Sequence, residues 1–173
     1  PDGKIVYDTR AYSTLPDRQL VSIDLQTKFK GRIPLSQASE ASFDDSGKTI
    51  YFVRPAYHGN VTKRYKGGTA HQIWKYTNGT VEAIKLTTDY AGESHHPMWF
   101  EGRVYFLTDK DGTMNVWSIK EDGSDAQQHT QHQGFDVRYA DLHNGNIVYQ
   151  LGADIWHYSI EKAASNKINI TLA

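Results

Sequence analysis

Apolar and polar positions along this chain fall into one pattern that is repeated four times. A glycine turn leads into a short apolar run at Gly3-Lys4-Ile5-Val6-Tyr7, Gly47-Lys48-Thr49-Ile50-Tyr51-Phe52, Gly102-Arg103-Val104-Tyr105-Phe106 and Gly145-Asn146-Ile147-Val148-Tyr149. A second run follows each, at Gln19-Leu20-Val21-Ser22-Ile23, Gln72-Ile73-Trp74-Lys75-Tyr76, Asn115-Val116-Trp117-Ser118-Ile119 and Asp154-Ile155-Trp156-His157-Tyr158. Both runs are rich in β-branched and aromatic residues, and the second alternates apolar with polar side chains, which is the chemistry of a pleated strand.

A polar turn comes next, at 24–30, 77–79, 121–124 and 161–166. A third run then ends at Pro34-Leu35-Ser36, Lys85-Leu86-Thr87, Gln128-His129-Thr130 or Ile170-Thr171-Leu172, and is predicted to be the outer strand of its unit. Three units also carry a strand ahead of the glycine turn, at Ala41-Ser42-Phe43, Pro97-Met98-Trp99-Phe100 and Val137-Arg138-Tyr139, whereas the first unit begins at the turn. The second strands start at Gln19, Gln72, Asn115 and Asp154, intervals of 53, 43 and 39 residues. Such periods with four strands per unit predict an all-β chain, a partial β-propeller of about four blades of antiparallel strands. The expected blades are 1–37 (incomplete), 38–89, 90–132 and 133–173. No window shows the 3.6-residue apolar stripe of a helical solenoid.

Composition narrows the function classes. With 19 basic and 20 acidic residues, no global field favours nucleic acid or an anionic membrane. There is no cysteine, hence no disulfide frame or thiol chemistry, and no apolar run long enough to span a bilayer. These features suit a soluble protein, cytoplasmic in preference to periplasmic. The chain starts at Pro1 and reads as part of something longer.

The longest interval has a local source in the inserted segment 54–71. Lys63, Arg64 and Lys66 gather positive charge there beside Gly67 and Gly68, whose amides could approach a peptide carboxylate or another anion. The competing reading is a solvated loop ordered by Tyr57 and Tyr65 on the propeller rim. Other chemistry is weaker. Gly92-Glu93-Ser94-His95-His96 lacks the second glycine of a nucleophile elbow and reads as a loop before Pro97. His95/His96 and His129/His132 read as solvated turn residues rather than metal ligands. Asp109-Lys110-Asp111-Gly112-Thr113 has Lys120 where a calcium loop needs its closing glutamate, so it reads as a hairpin turn. Trp74, Trp117 and Trp156 share one repeat position and read as packing between blades. No catalytic residue, metal or cofactor is expected.

The run Arg64-Tyr65-Lys66-Gly67-Gly68-Thr69 leading into Gln72-Ile73-Trp74, then Pro97, Val104-Tyr105-Phe106, Thr108-Asp109, Asp111-Gly112 and Asp154-Ile155-Trp156, resembles the N-terminal six-bladed propeller of the tricorn protease family. The resemblance covers most of residues 40–173. It implies a large serine peptidase that degrades oligopeptides, in which the propeller is accessory. The propeller would gate passage to a chamber built by other domains, with peptides and those domains as partners, and a homo-oligomeric parent is compatible with it. Four units would be the later two-thirds of such a ring. Two alternatives share only the Asp-Gly turn and the Ile-Trp strand: a TolB-like propeller that binds another protein, and the propeller of an α/β-hydrolase peptidase.

Overall fold

The computed structural model describes residues 3–15, 17–55 and 63–171. Its strands form four antiparallel sheets, each a meander in chain order. The first is β1 (Lys4–Thr9), β2 (Gln19–Asp24) and β3 (Lys30–Arg32). The second is β4 (Ser39–Phe43), β5 (Thr49–Arg54), β6 (Gln72–Thr77) and β7 (Ile84–Lys85). The third is β8 (Ser94–Phe100), β9 (Arg103–Thr108), β10 (Asn115–Lys120) and β11 (Gln127–Gln128), and the fourth is β12 (Val137–His143), β13 (Asn146–Leu151), β14 (Asp154–Ser159) and β15 (Ala164–Lys167). The all-β propeller architecture expected from the repeat is present. No described helix is long and apolar enough to cross a membrane.

Strand alternation builds the blade stack. In β5, Ile50 and Phe52 point into the core shared with Leu20, while Tyr51 and Val53 point the other way to meet Val104 and Phe106 of β9. In β9 the next pair, Tyr105 and Leu107, joins Val137, Ile147 and Tyr149 of the fourth sheet. Each middle sheet is therefore apolar on both faces, and three seams of buried side chains lie between four sheets. Trp74, Trp117 and Trp156 pack one per seam, as their shared repeat position predicts. The turn glycines are equivalent as well: Gly3, Gly47, Gly102 and Gly145 have φ of 67, 67, 77 and 72°, a left-handed conformation that glycine adopts without steric cost.

The outermost strands differ from expectation. In the fourth sheet the outer strand is β15, formed by residues placed in a polar turn by their composition. Ser159 pairs with Ala164 across a tight reversal in which Ala163 has φ 48°, so Ile170 and Thr171 come too late to pair. In the first sheet β3 likewise ends at Arg32, before Pro34. Leu172 lies outside the described residues. An exposed edge strand needs only backbone pairing on one side, and polar side chains suit it.

Two innermost strands start earlier than their apolar residues suggest, β4 at Ser39 and β8 at Ser94, while β12 starts at Val137 as expected and runs on to His143; each of the three contains a β-bulge. Ser39 pairs with Val53 but Ser42 with Tyr51, so Glu40 and Ala41 together face Phe52. His96 and Pro97 face Phe106 in the same way, and Tyr139 and Ala140 face Tyr149. The first bulge residue is left-handed each time, with φ of 50° at Glu40, 54° at His96 and 51° at Tyr139. Pro97 is tolerated because a bulge position owes no amide to the ladder.

Candidate functional site

The three bulges converge. β8 packs between β4 and β12, and the backbone N–H of Trp99 donates to Ser42 Oγ across the first of these junctions at 2.9 Å. A cavity of about 470 Å³ opens where the inner strands meet, and Glu40, His95, His96, Arg138 and Tyr139 line it. A bulge turns its extra residue out of the alternating pattern. Here it lets the neighbours His95 and His96 bring their Nδ1 atoms within 2.6 Å, where a regular strand would send them to opposite faces.

Glu40 fixes the pair from the neighbouring blade. Its Oε2 accepts the backbone N–H of His96 at 2.7 Å and lies 3.3 Å from His96 Nδ1 and 3.9 Å from His95 Nδ1. Burial pushes the Glu40 carboxyl up, but the hydrogen bond from His96 and the charges of His95 and His96 outweigh it and hold the group down to about 2. Burial lowers His95 to about 4 despite Glu40, whereas His96 is raised because its hydrogen bond to Glu40 overcomes its own burial. Behind His95, the ring of His71 stands edge-on with its centroid 6.3 Å away, and His71 Nδ1 lies 2.9 Å from Glu93 Oε2. The cavity is thus ionic without a dominant sign: Lys63, Arg64 and Arg138 line it together with Glu40, Glu93, Asp109 and Asp136.

Residues 1–164 match the family described as the tricorn protease N-terminal β-propeller domain. The chain belongs to this family. It is 30% identical over 175 residues to the tricorn protease of Thermoplasma acidophilum, covering 98% of this chain and 16% of that protein. It is 29% identical over 158 residues to that of Thermoplasma volcanium, covering 91% and 15%. The crystal structure of a tricorn protease superposes with a TM-score of 0.60 at 19% identity over 99% of this chain and 22% of that one. TolB from Acinetobacter baumannii superposes with a TM-score of 0.72 at 14% identity over 95% and 40%, a likeness of fold. The chain spans about a sixth of the Thermoplasma tricorn proteases.

Within this tricorn propeller the sequence-predicted cluster divides. Lys63 and Arg64 reach the cavity, and Lys66, Gly67 and Gly68 are not among its lining residues. Lys63 Nζ pairs with Asp136 Oδ2 at 2.5 Å, and Arg64 Nε donates to the Gly112 carbonyl at 2.7 Å, so the insertion of the second blade is tied to the third and fourth. Lys66 lies over the Tyr90 ring at 5.4 Å. Gly67 leaves room for the Tyr65 ring, whose hydroxyl would lie 2.3 Å from any added Cβ. Tyr65 therefore packs inside the insertion itself, and Tyr57 lies outside the described residues.

The histidines differ from the solvated turn residues expected. His95 and His96 belong to β8, and His129 and His132 sit in the seam between the third and fourth blades. There His129 bonds Ser118 Oγ at 2.7 Å and Tyr158 Oη at 3.1 Å, and His132 Nε2 bonds Tyr149 Oη at 2.8 Å. Ser94 opens β8 rather than lying in a loop before Pro97, and it is buried with its hydroxyl on Thr108 Oγ1 at 3.1 Å. Gly112 N–H bonds the Asp109 carbonyl at 2.8 Å, which makes that segment the hairpin turn expected. Sequence reasoning missed Glu40 and the bulge. A signal was available: each first bulge residue is followed by a compact one, Ala41, Pro97 or Ala140.

Proposed function

We propose that this chain is a non-catalytic propeller portion of a tricorn-like serine protease that degrades oligopeptides, where it shapes a passage for peptides and supports assembly with the protease's other domains. The observation that carries this reading is the position of the cavity on the innermost strands of three blades, where a propeller has its axial channel. Its mixed charge suits a peptide, whose two termini carry opposite signs. Lys63, Arg64 and Arg138 are the groups for a carboxylate, with Lys63 exchanging Asp136 for the ligand. Lys66, Gly67 and Gly68 then serve to order the insertion that presents Lys63 and Arg64. A soluble, cytoplasmic parent accords with this role.

The test is binding without turnover. Purified chain incubated with fluorescent oligopeptides should leave them intact, while anisotropy should rise with concentration and Arg64→Ala should weaken the rise about tenfold, the loss of one charge-assisted contact. Hydrolysis that copurifies with the chain, or binding indifferent to Arg64, would overturn the proposal.

A further inference from the structure

The geometry points to a divalent transition-metal site at Glu40, His95 and His96, for an ion of the Zn²⁺, Co²⁺ or Ni²⁺ class. One carboxylate oxygen and two imidazole nitrogens lie within 4.8 Å of one another. Ligand bonds of about 2.0–2.1 Å arranged tetrahedrally place donor atoms about 3.3 Å apart. Glu40 Oε2 lies 3.3 Å from His96 Nδ1, on that edge, and 3.9 Å from His95 Nδ1, about 0.6 Å beyond it, and the two Nδ1 atoms at 2.6 Å need to part by about 0.7 Å.

Three independent features favour ligation over a simple hydrogen-bonded trio. The ligands come from two blades, so an ion there would clamp β4 to β8. Their orientation is imposed by backbone: His96 and Glu40 are both held in left-handed bulge positions, and the carboxylate is steered by the His96 amide. Metal-bound side chains are characteristically oriented by such outer contacts. Finally, all three residues line the cavity, which leaves a coordination position facing solvent for water. Two nitrogens and one oxygen suit a borderline ion and disfavour Ca²⁺ or Mg²⁺, which take oxygen ligands.

Titration of the whole chain with Zn²⁺ against a chromophoric chelator, and with Co²⁺ followed by its visible ligand-field absorption, tests the site. One equivalent should bind, with the intense spectrum of tetrahedral Co²⁺. His95→Ala, His96→Ala and Glu40→Gln should each weaken binding about tenfold or more. The Glu40→Gln change keeps an acceptor for the His96 amide and so preserves the fold even if the histidine variants are damaged. His143→Ala, an exposed histidine outside the cluster, should bind like the parent chain. Less than one equivalent, a weak octahedral Co²⁺ spectrum, or unchanged affinity in Glu40→Gln would overturn the inference.

Discussion

Two pairs of histidines in this propeller meet opposite fates. His129 and His132 lie in the seam between the third and fourth blades, where each ring is bonded to a tyrosine hydroxyl, and His132 also packs edge-on against Trp156 with centroids 5.0 Å apart. His95 and His96 lie on the cavity side of β8 and turn toward each other and toward a carboxylate. The seam pair completes a packed interface whose polar atoms are satisfied by neighbours, and the bulge pair is aimed into a cavity. What separates them is one extra residue in the innermost strand. The seams follow the alternation of the strands and make the stack; the bulges interrupt that alternation and make the site.

The comparison breaks most readily at Phe106, which belongs to both regions. It is buried in the seam between the second and third blades, and its backbone faces the bulge residues His96 and Pro97. Truncation to alanine should cost about 3–5 kcal/mol, from the lost transfer free energy together with the cavity left behind. Chemical denaturation measures it directly. A loss under about 1 kcal/mol would show that the seams collapse around a void and are not the main source of stability.

That division also explains what could be read from the chain. The blades were legible because their period rests on local events that composition reports: a left-handed turn glycine, a β-branched run, and an aromatic residue at a fixed place in the second strand. The seams were legible at Trp74, Trp117 and Trp156 for the same reason. The bulges were not, because an inserted residue leaves no mark on composition. Pro97 reads as the start of a strand when it is the middle of one, and Glu40 is a single carboxylate 55 residues away from His95 whose role depends on blade-to-blade contact. The outer strand β15 was hidden differently, since an edge pairs through its backbone and its side chains carry no pattern.

The seam histidines sharpen the comparison through pH. Burial, with a smaller contribution from the charge of Arg103, lowers His129 from 6.5 to about 4. Between those values the unfolded chain binds a proton that the folded chain refuses, so folding stability falls as pH drops from about 6.5 toward 4 and levels off below. His129→Gln retains a polar side chain of similar reach without an ionising group. Denaturation midpoints at pH 7 and pH 5 should fall less in the variant than in the parent chain. Equal losses would place the acid sensitivity elsewhere and leave the seam histidine with no energetic part in it.

The smallest effect belongs to the bulge of the fourth blade. Tyr139 holds φ at 51° like Glu40 and His96, but its side chain is 71% exposed. A left-handed conformation costs a non-glycine residue about 1–2 kcal/mol. Glycine removes that strain and gives back part of the gain through a freer unfolded chain. Tyr139→Gly should therefore stabilise the chain by up to about 1 kcal/mol, read as a small rise in melting temperature, while truncations in the seam lower it. At Glu40 and His96 the same left-handed geometry is joined to a hydrogen bond across the blade junction, from the His96 N–H to Glu40 Oε2, which Tyr139 lacks among its described contacts. A lower melting temperature for Tyr139→Gly would mean that the exposed ring is held by interactions of its own, and that all three bulges are built to aim a side chain rather than two.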